Sequence, residues 1–239
     1  MSSSATARTR DRDADLVTND PATDIEDGTQ SGVDAGGVGG PEGFRPGASV
    51  RDRGFALWLL LTSLVAIAAT FIIVIERSIL AENPDYRTSC DLNPWLSCGR
   101  VMQSWQAQTF GFPNTTIGVV AFSMLIAVAV SMLAGARMAR WYWLLMNLGM
   151  LAGLAFAGWL YYAAVYQIST LCLYCMIVWA MVIIQFVLTT SRNIQCGVVG
   201  GGERVKALAR DLAWPAIILL WVIVFVTILL RFGVGILGL

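Results

Sequence analysis

Histidine is absent from all 239 residues. With it go bis-histidine haem, c-type haem attachment, histidine-ligated metal sites and any Ser–His catalytic pair. Charge is also scarce. Only 13% of the chain is Asp, Glu, Lys or Arg, against the roughly 25% of an ordinary soluble domain. No basic stretch joined to a short apolar core opens the chain, so a cleavable signal peptide is not expected.

Apolar residues fill the space that charge leaves: 56% of the chain, with a mean hydropathy of +0.66. Five uncharged runs are long enough to cross the hydrocarbon core, which takes about 20 helical residues. They are 55–75, 117–134, 141–166, 171–188 and 213–230. The runs are continuous rather than alternating, so they read as helices, the open structure that satisfies its own backbone in lipid. The expected fold is therefore an all-α membrane protein with five transmembrane helices. The fifth occupies 213–239, after an inner loop at 191–212.

Residues 1–50 differ in kind. They hold nine of the sixteen acidic side chains and much Gly, Ser and Thr, a composition that cannot bury enough apolar surface to fold. They are expected to be a disordered cytoplasmic tail, with the first helix as an uncleaved signal-anchor. Basic residues then set the orientation. With the N-terminus inside, the inner segments carry Arg45, Arg51, Arg53, Arg137, Arg140, Arg192, Arg204, Lys206 and Arg210. The outer ones carry Arg77, Arg87, Arg100 and Arg231. Nine against four predicts a plasma-membrane protein with its N-terminus in the cytoplasm and its C-terminus outside. The 76–116 segment then faces an oxidising compartment.

Within the helices, Gly149 and Gly153 have the spacing of a close helix contact. Asn147 and Gln185 are polar groups at membrane depth, read as interhelical hydrogen bonds or as functional groups. Trp58, Trp141, Trp143 and Trp214 lie near helix ends, as interfacial anchors do.

Four of the five cysteines fall on the outer side: Cys90 and Cys98 in the 76–116 segment, Cys172 and Cys175 at the start of the fourth helix. Cys196, on the inner side, is expected to be a free thiol without a role. In Cys172-Leu173-Tyr174-Cys175 the two sulfurs share a helix face. The helix N-terminus favours a thiolate on the first of them. Such a pair opens and closes readily. A static staple across two residues would restrain little chain entropy, and outward-facing thiols tend to oxidise rather than hold zinc, iron–sulfur or Cu(I). Asn93-Pro94 favours a turn able to bring Cys90 and Cys98 together. Val101, Trp105 and Gln108 follow at roughly helical spacing, as on a short amphipathic helix lying over the bundle as a lid. Two dithiols in one compartment read as an electron relay through mixed disulfides, or as a structural bridge beside a redox pair. Physics alone does not name the acceptor.

Three motifs carry a resemblance: Cys90-Asp91 with Ser97-Cys98, Phe110-Gly111-Phe112-Pro113-Asn114, and Cys172-x-x-Cys175. In this order they resemble the bacterial vitamin K epoxide reductase homologues over about 55–188. The resemblance implies a four-helix bundle around a quinone of menaquinone or ubiquinone type, under the loop pair, with no metal. It makes Cys175 the cysteine facing the quinone, Cys172 the one exchanging with Cys98, and Cys90 the shuttle thiol meeting an external substrate. Asn114 matches an asparagine that hydrogen-bonds a quinone carbonyl. Trp179 stands where the vertebrate enzymes have a tyrosine, and an indole N–H can donate but not accept. Many bacterial homologues carry a thioredoxin-like domain after the fifth helix. This sequence ends at Leu239, so the expected partner is a separate extracytoplasmic thioredoxin-fold, DsbA-like protein. The expected activity is quinone-dependent disulfide formation. The alternatives are epoxide or quinone reduction by the same cysteines, and a thiol-liganded metal transporter or scaffold. DsbB-type oxidases place their CxxC before the separated pair, the reverse of the order here.

Overall fold

A computed structural model describes residues 50–236, so the expected 1–50 tail lies almost wholly outside it. Six α-helices make up the described chain: α1 (Val50–Glu82), α2 (Cys98–Gln103), α3 (Asn114–Leu133), α4 (Arg140–Tyr162), α5 (Leu173–Gln195) and α6 (Glu203–Ile236). Five of them are long and apolar enough to cross a membrane, the short α2 being the exception. No strand forms among the described residues. The outward faces are apolar, with Leu61, Phe71, Leu148, Leu219 and Phe225 exposed. Contiguous exposed apolar surface on this scale suits lipid rather than water. The protein is an all-α membrane protein.

The helices overrun the uncharged runs that mark them. The α1 helix continues past Ile75 to Glu82, and α5 continues to Gln195. Only 196–202 remains as connection before α6, so the expected 191–212 loop is mostly helix. A charged residue ends an apolar run but does not break backbone hydrogen bonding. The glycines do the breaking: Gly197 has φ +71°, and Gly200–Gly202 follow.

The α1 helix packs along α3 and α5, and α5 also packs against α4 and α6. By contrast, α3 and α4 hardly touch, and the space between them is a cavity lined from α1, α3, α4 and α5. The α6 helix lies outside that four-helix frame. Gly149 and Gly153 line the cavity, and an added Cβ at either would meet nothing within 4 Å. The expected close helix approach is not there. Gln185 and Asn147 do bridge helices: Gln185 Nε2 donates to Ser63 Oγ at 3.1 Å, and Thr190 Oγ1 donates to Asn147 Oδ1 at 3.0 Å.

Trp58, Trp141 and Trp214 are exposed as interfacial anchors would be, but Trp143 is buried. Its ring carries the Arg192 guanidinium 4.0 Å above its centroid. Arg192 also pairs with Asp52 at 3.0 Å and lies over Phe55, tying α1, α4 and α5 together at the end remote from the two cysteine pairs. The need to shield this cation overrides the indole's interfacial preference.

Candidate redox site

Everything at the cysteine end is built on a reversal of the chain after α4. The last turn widens over Ala163–Ile168, and Ser169 adopts a left-handed conformation with φ 54°. Leu171 then pairs with the 76–116 segment. Ser97 N–H donates to Leu171 O at 3.0 Å, and Leu171 N–H donates to Trp95 O at 2.9 Å. The bridge, Leu96 to Leu171, is parallel and sits two residues before Cys98 and one before Cys172, so backbone pairing carries the two cysteines to the same place. Their sulfurs are 3.0 Å apart, and both residues are buried.

The loop is held by its own side chains. Asn93 Oδ1 accepts N–H bonds from Trp95 (3.0 Å) and Leu96 (2.8 Å), the side-chain turn that Asn-Pro foreshadows. Cys90 and Cys98 are joined in a disulfide with Cα atoms 5.6 Å apart. Asp91 Oδ2 accepts Thr88 N–H at 2.9 Å, and its Oδ1 accepts Gly99 N–H at 3.3 Å. Burial alone would raise the Asp91 carboxyl. Hydrogen bonds from Ser97, Thr88 and Gly99 outweigh it and hold the carboxyl below its ordinary value. Gly99 follows Cys98 for a reason of space: a Cβ there would lie 3.3 Å from the Asp91 carboxylate.

The lid is not the single amphipathic helix expected. It is α2 followed by a 3-10 turn over Trp105–Gln108, with a break at Ser104. That break shifts the helical phase, so Met102 and Gln106 are buried while Trp105 is exposed. Nor is the loop pair open to solvent. Cys90 is 2% exposed and Cys98 0%, so a partner thiol cannot reach either while the loop stays seated. The apolar surface of Ile73, Leu80 and Met102 encloses them.

Cys172 caps α5, its sulfur accepting Cys175 N–H at 3.5 Å. Cys172 and Cys175 both line the cavity, of about 610 Å³, which extends past Met150 and Gly153 toward Trp141.

The residues expected at a bound quinone also line that cavity. Asn114 opens α3, and its Nδ2 donates to Gln106 O at 2.6 Å. Its Oδ1 is buried with no partner, and so is the neighbouring Thr115 hydroxyl. A buried unpartnered polar pair in an apolar cavity fits a flat apolar ligand with polar oxygens. Trp179 packs edge-on against Tyr161, with ring centroids 5.2 Å apart, and faces the cavity as a wall. Cys196 is exposed and unpaired at the far end.

Sequence reading missed three contributors. Glu76 is a buried acid that accepts Ser89 N–H at 2.9 Å, and the only signal for it is an acid closing an apolar run. Tyr174, inside the CxxC, hydrogen-bonds Ser89 at 2.9 Å. Gln106 donates to Gln167 at 2.9 Å, tying the lid to the end of α4.

A disulfide, a second cysteine pair in contact with it and an apolar cavity beneath define the class of membrane thiol oxidoreductases. The chain belongs to the vitamin K epoxide reductase family, whose model matches residues 57–190, more than half of its length. The match covers Cys90, Cys98, Cys172 and Cys175 and ends before α6. No curated protein matches the chain in sequence comparison. The family carries oxidoreductase activity, is associated with quinones, and generally works with thioredoxin-like partners in the membrane.

Proposed function

We propose that this protein is a quinone-dependent disulfide-forming oxidase. It would take electrons from a separate, reduced thioredoxin-fold protein of DsbA-like type on the outer side. The observation that carries this reading is the 3.0 Å approach of Cys172 to Cys98 of the Cys90–Cys98 disulfide, above a cavity that Cys172 and Cys175 share.

The cysteine chemistry balances at each exchange. A partner dithiol reduces the Cys90–Cys98 disulfide and leaves as its own disulfide. The freed Cys98 thiolate attacks Cys172 of a Cys172–Cys175 disulfide, expelling Cys175 as a thiol. Cys90 then attacks Cys98, re-forming the loop disulfide and releasing Cys172. The resulting Cys172/Cys175 dithiol holds two electrons at the cavity wall.

A quinone bound there supplies a two-electron, two-proton acceptor. Asn114 would hold one of its oxygens, since an amide can donate from Nδ2 to a carbonyl and accept at Oδ1 from a hydroxyl. Trp179 would limit the cavity on the α6 side. The orientation that suits this reading puts the cysteine end outside, as the nine-to-four distribution of basic residues favours.

The test uses the full chain in lipid nanodiscs with menaquinone or ubiquinone and a reduced thioredoxin-fold dithiol. Quinone reduction is expected, with loss in Cys175→Ala. Reduction that survives in Cys175→Ala would reject the mechanism. Turnover of an epoxide but not of protein thiols would favour the reductase alternative. Stoichiometric metal with uniformly reduced cysteines would favour a transporter.

A further inference from the structure

Among the described residues, one buried carboxylate belongs to no part of the relay as written. Glu76 lies on α1 and is 5% exposed, on the same stretch as Ile73 and Leu80, which enclose the cysteines. One oxygen accepts the Ser89 N–H, directly beside Cys90. The other, Oε2, is buried with no hydrogen-bond partner. A buried carboxylate oxygen left bare is costly, and structures seldom keep one that does nothing. Arg77, the next residue, donates instead to Met102 O at 3.2 Å. Glu76 forms no ion pair among those seen in the described residues.

We propose that Glu76 is the proton carrier of the exchange between the two cysteine pairs, taking the proton from Cys90 as it attacks Cys98 and delivering it to Cys172 as that sulfur leaves. The inference rests on the relay reading above. The step balances without any further reactant. In the mixed disulfide, Cys98 is bonded to Cys172 and Cys90 is a thiol. The Cys90–Cys98 bond forms, the Cys98–Cys172 bond breaks, and one proton passes from Cys90 to Cys172 by way of the carboxylate. No net charge appears in the enclosed site. That matters because both ends of the transfer are buried, where a bare thiolate is poorly solvated.

The ionisable groups on the elements around Glu76 are Arg77, Glu82, Asp85, Tyr86, Arg87, Asp91, Arg100, Tyr174, Cys172 and Cys175; Glu82 and Asp85 are exposed, and Tyr86 packs on the cysteine cluster from outside it. Of these, Arg87 and Arg100 turn outward to backbone carbonyls of the loop, Asp91 is taken up by its capping bonds, and Tyr174 by Ser89. That leaves Glu76 as the carboxylate placed for the task.

The test isolates this exchange in a Cys175→Ala background. There the exchange runs between Cys90–Cys98 with a free Cys172 and Cys98–Cys172 with a free Cys90, and any Cys90–Cys172 product is counted separately. The approach to equilibrium after a pH jump is followed by rapid alkylation and mass mapping. Glu76→Gln keeps a carbonyl oxygen for Ser89 but cannot carry the proton. It is expected to slow exchange near neutral pH by about 100-fold, the usual worth of a positioned acid–base group. The deficit should shrink as pH rises and free thiolate forms, and Glu76→Asp should restore part of the rate. An unchanged rate in Glu76→Gln, or a loss that is the same at every pH, would overturn the proposal. A second measurement needs no substitution at Glu76: exchange in the Cys175→Ala background should be slower in heavy water. An inverse or absent effect, as expected for a preformed thiolate, would also overturn it. If no Cys98–Cys172 species forms with Glu76 intact, the relay itself fails, and the proposal with it.

Discussion

Cys172 Sγ rests 3.0 Å from Cys98 Sγ because Leu171 and Leu96, one and two residues earlier, are paired through their backbones. A short parallel bridge thus aligns two sulfurs that are 74 residues apart in sequence. The alignment does not depend on Cys90. In Cys90→Ala, mild oxidation should therefore join Cys98 to Cys172 in nearly all molecules. Peptide mapping under non-reducing conditions checks this, and a product dominated by Cys172–Cys175 would refute the placement.

The glycines of α4 predict a separation of folding from binding. Gly149 and Gly153 have open space where a side chain would go, and that space is the cavity. Alanine at either should fold normally, even gaining about 0.5–1 kcal/mol of helix propensity. Gly153→Leu should fill the cavity and raise the quinone KM about 10-fold or more, at nearly unchanged thermal stability. Equal loss of stability and affinity would show that the glycine serves packing instead.

Asp91 predicts an acid sensitivity of the loop. Its folded carboxyl titrates below the unfolded value of about 3.9, so its stabilisation is complete above that pH. It is lost as pH falls through the lower, folded value. Labelling of the Cys90–Cys98 region by a small reductant should thus accelerate below about pH 4. In Asp91→Asn that acid step should disappear, and the loop should open more readily even at neutral pH, by about 1 kcal/mol for the weakened capping bonds. An acid step retained in Asp91→Asn would assign it to another group.

At the opposite end, Arg192 predicts a pure stability effect. Arg192 is buried, and its removal takes away the ion pair with Asp52 and the packing over Trp143 and Phe55 together, at a cost of about 3 kcal/mol. Arg192→Ala should lower the unfolding temperature markedly while leaving turnover per folded molecule unchanged. Arg192→Lys should rescue poorly, since an ammonium cannot both fork onto Asp52 and lie flat over Trp143. A turnover defect in the folded fraction would contradict this.

How much could be read in advance varies with the range of the interaction. Helix number and approximate position follow from 18-residue runs, because crossing a bilayer demands length and apolarity that few other structures share. Their ends do not, since Glu76 and Arg192 interrupt hydropathy without interrupting the helix. The lid at 98–108 was legible as helical in kind but not in phase, because nothing in its spacing marks the break at Ser104, after which Gln106 meets Gln167, 61 residues away. Trp143 looked interfacial because its neighbour across the bundle, Arg192, lies 49 residues later.

The amino-acid sequence alone settled the membrane environment and the order of the two cysteine pairs, because these rest on composition and local spacing. Only the tertiary structure decided that the Cys90–Cys98 disulfide is buried and that Glu76 is enclosed with it, while the meeting of Cys98 and Cys172, implied by family resemblance alone, became a backbone-paired contact. Burial and long-range pairing are properties of surfaces that meet across the fold. No local pattern encodes which residues those surfaces bring together.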